Sequence, residues 1–161
     1  MLREMLADVL AQKPEFEVVA QAETLDEALR LARATQPDVV ILDWFFPGGG
    51  GQGFLRAMQP NRLHGHVLVL TGNTNEDSVR AALMAGARGF YEKGASLDEF
   101  FVALRAVAAG GAYFGPMASG IVGRLVETKL PAPAEPALAL DRPGAVEADS
   151  ASFQALAVAA R

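Results

Sequence analysis

Three residues with complementary chemistry each stand at the carboxyl end of a short apolar run. Asp43 closes the run Val-Val-Ile-Leu-Asp, Thr71 closes Val-Leu-Val-Leu-Thr, and Lys93 follows Gly-Phe-Tyr-Glu. A carboxylate can accept a phosphoryl group as an acyl phosphate, while a hydroxyl and an ammonium can stabilise the charge that the phosphoryl adds. If the three runs are neighbouring strands, these residues predict a phosphoryl-accepting site.

Each of these residues has a simpler interpretation when it is taken alone. Asp43 could cap a turn, Thr71 could be an ordinary β-branched strand residue, and Lys93 could be a solvated charge. Their joint placement after three successive strand-like runs favours the shared site.

The run that ends in Asp43 is typical of a strand buried on both faces of a parallel sheet. It is rich in β-branched residues and is followed by Pro47 and the glycines 48–51. The carboxyl ends of such strands line the crevice where open α/β sheets bind ligands, and glycines allow the backbone to approach closely there.

Helices and strands alternate along the chain. Capping boxes open helices at Thr24–Glu27 and at Ser96–Glu99, and these helices end at Gln36-Pro37 and at Gly110-Gly111. The predicted order is helix 1–12, strand 16–22, helix from 25, strand 39–43, helix 52–58, strand 66–71, helix 73–85, strand 88–92 and helix from 97. This alternation predicts an α/β fold with a doubly wound parallel sheet and helices on both faces.

Composition excludes several classes of protein. The chain has 161 residues, of which 51% are hydrophobic, a net charge of -5 and no cysteine, so we expect one domain with some chain left over, without disulfides or thiolate chemistry. No apolar run approaches the ~18 residues of a membrane span, and a signal-peptide pattern is missing, which predicts a cytoplasmic protein that does not enter the membrane. The acidic balance predicts that this chain does not itself bind DNA.

Two histidines, His64 and His66, stand around the start of one predicted strand. Neither has an acidic residue or a cysteine nearby in the sequence. Metal ligands normally come in sets, so we interpret the pair as surface residues rather than as a metal site.

Several motifs together resemble the receiver domain of bacterial two-component response regulators, in the branch with a LuxR/NarL-type helix-turn-helix output. They are Asp43 with Phe46-Pro47-Gly48, then Leu70-Thr71-Gly72, Ala85 to Phe90, and Tyr91 to Ser96. The resemblance covers residues 1–115 and implies a flavodoxin-like receiver fold. It departs from the family pattern at Phe46 and Gly50, where the family has a methionine and an acid.

The resemblance assigns a role to each residue of the site. Asp43 is the phosphorylation site, and a sensor histidine kinase supplies its phosphoryl group. Lys93 is the phosphate-binding cation, and Thr71 is the switch hydroxyl that moves toward the phosphate. Phe90 is the switch aromatic, expected to turn inward; taken alone it could be plain core, but the joint spacing of the motifs favours the switch role. A signalling protein of this kind is not expected to be an enzyme. It is expected to act in transcription regulation, and a homodimer through the fourth helix, fifth strand and fifth helix of the receiver fold is a further expectation.

One departure concerns the metal. The family begins with a strand that ends in a pair of acids, and these hold the Mg²⁺ that phosphoryl transfer needs. This sequence starts inside the following helix, so Asp43 and the backbone carbonyl of Phe45 would form an incomplete Mg²⁺ site. The missing strand belongs between 16–22 and 39–43, so we expect a fold that lacks its first strand and leaves backbone groups unpaired. Either the start is misassigned or the chain is a degenerate receiver.

The remaining chain divides into three predicted parts. Residues 116–130 predict a linker helix with Pro116 at its start, and 131–149 are rich in proline and alanine, as in a linker. Residues 150–161 weakly resemble the opening helix of a helix-turn-helix domain, and a frayed amphipathic tail is an equal alternative. No recognition helix is present in the sequence.

Two rival functions follow from the same residues. The first is a degenerate receiver that dimerises or docks independently of phosphorylation, which the missing acids favour and the retained Asp43, Thr71 and Lys93 oppose. The second is a small α/β enzyme. It lacks support because no phosphate-cradling glycine turn joins a strand to a helix, and no nucleophile has an adjacent base.

Overall fold

The computed structural model describes residues 2–45, 50–58, 60–127 and 155–160. The helices within these ranges are α1 (Leu2–Ala11), α2 (Leu25–Thr35), α3 (Gly50–Met58), α4 (Glu76–Met84), α5 (Leu97–Ala108) and α6 (Pro116–Glu127). The strands are β1 (Phe16–Ala22), β2 (Val39–Asp43), β3 (His66–Thr71), β4 (Gly89–Glu92), β5 (Tyr113–Phe114) and β6 (Ala155–Ala160). None of the described helices is long and apolar enough to cross a membrane.

The strands form one sheet in the order β1-β6-β2-β3-β4-β5. Strands β2 to β5 run parallel, with Val69 opposite Leu42 on one side and Phe90 on the other. This part of the doubly wound parallel sheet is confirmed. The parallel arrangement places the carboxyl ends of β2, β3 and β4 at one edge, which we call the carboxyl rim.

Helices cover both faces of the sheet and bury two apolar clusters. Helices α2, α3, α4 and α6 pack on one face, and α1 and α5 pack on the other. Strand β2 is fully buried, as its β-branched sequence predicts.

The two predicted capping boxes form in different ways. At α5, the Glu99 backbone N–H donates to Ser96 Oγ at 3.3 Å and the Ser96 N–H donates to Glu99 Oε2 at 3.4 Å, which is the complete reciprocal box. At α2, the Glu27 N–H donates to Thr24 Oγ1 at 3.2 Å, but the Glu27 carboxylate accepts from the Glu23 N–H instead. Both helices nevertheless begin where the sequence predicts.

Strand β6 is the main difference from the sequence-based prediction. It lies antiparallel between β1 and β2, with Val158 opposite both Val18 and Val39. The helix predicted over 150–161 is therefore wrong for residues 155–160, and so is the expected set of unpaired backbone groups between β1 and β2. Two facing strand edges offer a row of hydrogen-bond partners, and this tertiary template outweighs weak local helical periodicity.

The period-two pattern of β6 matches the two faces of the sheet. Leu156 and Val158 are fully buried in the cluster beneath α1 and α5, while Ala155 and Ala157 face α2. The Ala160 N–H donates to Asp38 Oδ2 at 2.9 Å and fixes the far end of the strand. The predicted linker over 131–149 lies outside the described residues.

Helix α6 lies within the linker helix predicted over 116–130, of which residues 128–130 lie outside the described residues, and it packs against α4. Its buried residues Ala118, Ile121 and Leu125 share one cluster with Val79 and Ala82 of α4. Strand β5, a two-residue extension of the sheet that the sequence pattern did not predict, precedes it.

Candidate functional site

The carboxyl rim brings together the three residues that the sequence singled out. Asp43 ends β2, Thr71 ends β3, and Lys93 directly follows β4. The Lys93 backbone N–H donates to the Thr71 carbonyl at 2.8 Å, so the β3 and β4 ends are held side by side.

Asp43 and Lys93 form an ion pair at the rim. Lys93 Nζ lies 2.5 Å from Asp43 Oδ2. The Asp43 side chain is only 2% exposed, whereas that of Lys93 is 21% exposed. A buried carboxylate is costly without a partner, so Lys93 is its principal electrostatic compensation among the described residues. The arrangement places a carboxylate and an ammonium together at the rim, and the ammonium is the more exposed of the two groups.

The backbone after β2 holds the other oxygen of Asp43. The Phe45 N–H donates to Asp43 Oδ1 at 3.2 Å, and the Trp44 N–H donates to the Leu70 carbonyl at 2.9 Å. Trp44 is buried and Phe45 is 54% exposed. The carboxylate is therefore oriented by one backbone amide and one ammonium.

Two glycines allow the chain to turn back onto Trp44. Gly50 has φ +61°, in the left-handed region, and its N-terminal neighbours 46–49, including the motif Phe46-Pro47-Gly48, lie outside the described residues. A Cβ on Gly51 would lie 2.8 Å from the Trp44 side chain and 3.2 Å from its Cα. The close approach that the glycine run predicted is therefore present at Gly51.

The Thr71 hydroxyl is engaged within its own loop. Thr71 Oγ1 donates to the Asn73 carbonyl at 2.8 Å and accepts from the Asn73 N–H at 3.1 Å. Thr71 is fully buried. The hydroxyl must break this local pair before it can donate to a group on Asp43.

Phe90 is completely buried in the cluster formed by α3, α4 and α6. Its backbone carbonyl accepts from the Gly115 N–H at 3.1 Å, next to the start of α6. An inward-facing ring is thus already present in this structure.

Tyr91 is a positioning residue that the sequence pattern did not reveal. Its hydroxyl donates to the carbonyls of Ala95 and Ser96, at 2.8 and 3.0 Å, and so fixes the turn that carries Lys93. Burial raises the pKa of the Tyr91 hydroxyl above its ordinary value, and the Glu99 carboxylate adds to this shift. Its only sequence signal was an aromatic residue two places before Lys93.

The described residues do not fit a complete Mg²⁺ site. They contain no group of three histidine, cysteine, aspartate or glutamate side chains that could hold a metal ion. Glu92, the carboxylate that directly precedes Lys93, packs against Gly115 at the start of α6. His64 and His66 lie at the opposite, amino end of β3. Mg²⁺ requires octahedral oxygen ligation, which Asp43 and the Phe45 carbonyl cannot supply alone.

The fold and the rim together define a class: a doubly wound α/β domain that presents a buried carboxylate-lysine pair beside a threonine at its carboxyl edge. A family model described as the response regulator receiver domain matches residues 1–105, and the chain belongs to that family. Receiver domains act in two-component phosphorelay systems that control transcription, and sensor histidine kinases phosphorylate them. They are signalling modules with phosphoryl-transfer activity and usually bind Mg²⁺ at the phosphorylation site.

Relatives with assigned names belong to the LuxR/NarL group. The chain is 34% identical over 116 residues to the response regulator GacA of Pseudomonas aeruginosa. The matched residues make up 72% of this chain and 54% of GacA. The chain is 30% identical over 110 residues to the nitrate/nitrite response regulator NarL of Escherichia coli, covering 68% and 51%. The chain thus spans about half the length of the curated relatives that it matches.

Solved structures agree with this membership. A LuxR-family two-component response regulator from Aurantimonas has a TM-score of 0.71 and 31% identity, covering 78% of this chain and 90% of that one. The receiver domain of a NarL response regulator from Mycobacterium tuberculosis has a TM-score of 0.64 and 31% identity, covering 67% and 87%. The flavodoxin-like receiver fold is confirmed.

Proposed function

We propose that this chain accepts a phosphoryl group on Asp43 from a sensor histidine kinase and passes the signal to a transcriptional output. The observation that supports it best is the buried Asp43 carboxylate, 2.5 Å from the Lys93 ammonium at the carboxyl rim. This is the pairing of acceptor and cation that an acyl phosphate requires.

Transfer of the phosphoryl group breaks one bond to phosphorus and forms another. The N–P bond of a phosphohistidine on the kinase breaks, and an O–P bond to an Asp43 carboxylate oxygen forms. Lys93 moves its ion pair from the carboxylate to the phosphoryl oxygens, which carry the added negative charge. The Thr71 hydroxyl leaves the Asn73 carbonyl and donates to one of those oxygens, which biases the loop after β3.

The Mg²⁺ ligands assigned to this chain are Asp43 and the Phe45 carbonyl. Because this set is incomplete among the described residues, we expect phosphorylation to be slow.

The homodimer face expected from the resemblance consists of α4, β4 and α5. Its α4 side carries α6, whose Ala118, Ile121 and Leu125 are buried against it. A homodimer through this face must therefore either include α6 or displace it.

Phosphorylation is tested by intact mass after incubation with a small acyl-phosphate donor and Mg²⁺. We expect slow addition of one phosphoryl group to the protein and none to Asp43→Asn. Asp98→Asn is the matched control, since Asp98 is an exposed carboxylate in the first turn of α5, and it should label like the original chain.

Labelling that persists in Asp43→Asn would disprove the assignment. If neither the original chain nor Asp98→Asn were labelled while both remained folded, the phosphorylation-independent docking module would be the better interpretation.

A further inference from the structure

We propose that the slot between β1 and β2 is an interaction surface for the β6 strand of a second copy of this chain, so that two copies can exchange β6. The slot consists of the facing edges of Phe16–Ala22 and Val39–Asp43. In the structure its occupant is the chain's own β6, hydrogen-bonded on both sides. The inference concerns assembly and is independent of phosphorylation at Asp43.

Strand β6 is weakly anchored for a strand in the interior of a sheet. Its large buried side chains are Leu156 and Val158, whereas β2 buries Val39, Val40, Ile41 and Leu42. At about 1.5–3 kcal/mol for each large apolar side chain, β6 gains roughly half as much from burial as β2. On the α2 side it carries only Ala155 and Ala157, whose small side chains add little buried apolar area. Among these central strands, β6 is therefore the one that opens at least cost.

The connection to β6 is much longer than the gap that it must bridge. Arg124 near the end of α6 lies 3.9 Å from Glu76 at the start of α4, so α6 ends near the carboxyl rim. Ala155 pairs with Leu42 and lies at the same rim. These points are separated by roughly 15–20 Å, from strand and layer spacings, whereas residues 128–154 can extend to about 90 Å. This length lets β6 reach a neighbouring molecule's slot.

The length of the connection also favours exchange. Effective concentration falls as a linker becomes longer than the gap that it spans, so that of β6 at its own slot lies below the ~mM value of a short flexible linker. The strand contacts are the same in the closed and exchanged forms, so the balance depends on this concentration. Exchange should thus become measurable at protein concentrations of hundreds of micromolar.

The absence of cysteine allows a direct test with introduced pairs. Val39 and Val158 are opposite each other on neighbouring antiparallel strands, where Cα separations of about 4.5–5.5 Å suit a disulfide. One chain carrying V39C and a mass-labelled chain carrying V158C are mixed at high concentration, incubated in mild urea, returned to buffer and oxidised. We expect a disulfide-linked heterodimer, several-fold above the yield of a V39C and A159C mixture, because Ala159 pairs with β1 rather than with β2.

A single chain with both V39C and V158C reports whether β6 occupies the slot. At low concentration it should close an intramolecular disulfide, and failure to close would overturn the proposal by placing β6 elsewhere. If this intramolecular disulfide closes but the V39C and V158C mixture gives no more heterodimer than the V39C and A159C mixture, β6 does not exchange and the proposal is wrong.

Discussion

At the scale of single residues, the site depends on the ion pair between Asp43 and Lys93, in which neither charge can be removed without cost. Asp43 is buried at the end of a fully buried strand, and its described partners are the Lys93 ammonium and the Phe45 amide. Removal of one charge of a buried pair costs more than removal of both, because it leaves the other charge desolvated.

Lys93→Met should therefore destabilise the protein more than the double change Asp43→Asn with Lys93→Met. We expect the single change to cost about 1–3 kcal/mol, since Lys93 is partly exposed and water can replace it in part. Urea denaturation of the original chain, Asp43→Asn, Lys93→Met and the double variant forms a double-mutant cycle. It measures the coupling free energy between Asp43 and Lys93. A loss from the double change that equals the sum of the losses from Asp43→Asn and Lys93→Met would mean that the pair contributes nothing to stability.

At the scale of elements, β6 supplies the backbone partners of β1 and β2 but carries large side chains on only one of its two faces. Leu156 and Val158 are buried beneath α1 and α5. Facing α2, the alanines 155 and 157 line a cleft together with Ala28, Ala32 and Val40. An underfilled face is a place where added methyl groups can gain contacts.

Ala157→Val should raise the free energy of unfolding by about 0.5–2 kcal/mol, by filling the cleft. Ala159→Val is the matched control, because Ala159 is on the same face of the strand, is partly exposed and does not line the cleft. It gains the same strand propensity without the filling. Denaturant titrations of both variants measure the free energy of unfolding. An increase for Ala159→Val as large as that for Ala157→Val would assign the stabilisation to strand propensity alone.

At the scale of the whole molecule, the sheet is continuous because segments distant in sequence meet. Strand β6 joins β1 to the parallel strands β2 to β5, and α1 and α2 pack on either side of this junction. Without it, β1 would lose its hydrogen-bonded neighbour in the sheet. The integrity of the fold therefore depends on residues more than one hundred positions away from β1.

A chain shortened to residues 1–127 should be much less stable than the full chain. Loss of Leu156 and Val158 alone removes about 3–6 kcal/mol of burial, a large part of the ~5–15 kcal/mol net stability of a domain. With ~2–8 °C per kcal/mol, we expect the melting temperature to fall by about ten degrees or more. Calorimetry of the two chains measures this difference.

The double variant Leu156→Ala with Val158→Ala of the 161-residue chain separates side-chain burial from the loss of the strand itself. It should melt between the original and the shortened chains. Equal melting temperatures for the original and shortened chains would show that β1 and β2 repack without β6.

Local sequence determined most of the elements and the members of the site. The short β-branched run before Asp43 favours a buried strand, and the polar caps at Ser96 and Thr24 start helices because they satisfy orphan amides within a few residues. Parallel alternation then places Asp43, Thr71 and Lys93 at one rim, so the site was predictable from spacing.

Tertiary structure alone decided what the sequence pattern could not. Residues 155–160 are alanine-rich and locally favour a helix, but they form a strand because two distant strand edges offer them hydrogen-bond partners. The loop bond of Thr71 and the already buried ring of Phe90 likewise depend on neighbours from other elements. Hydrogen-bond partners and packing neighbours that are far apart in sequence leave no periodic signal, and for this reason only the folded chain shows them.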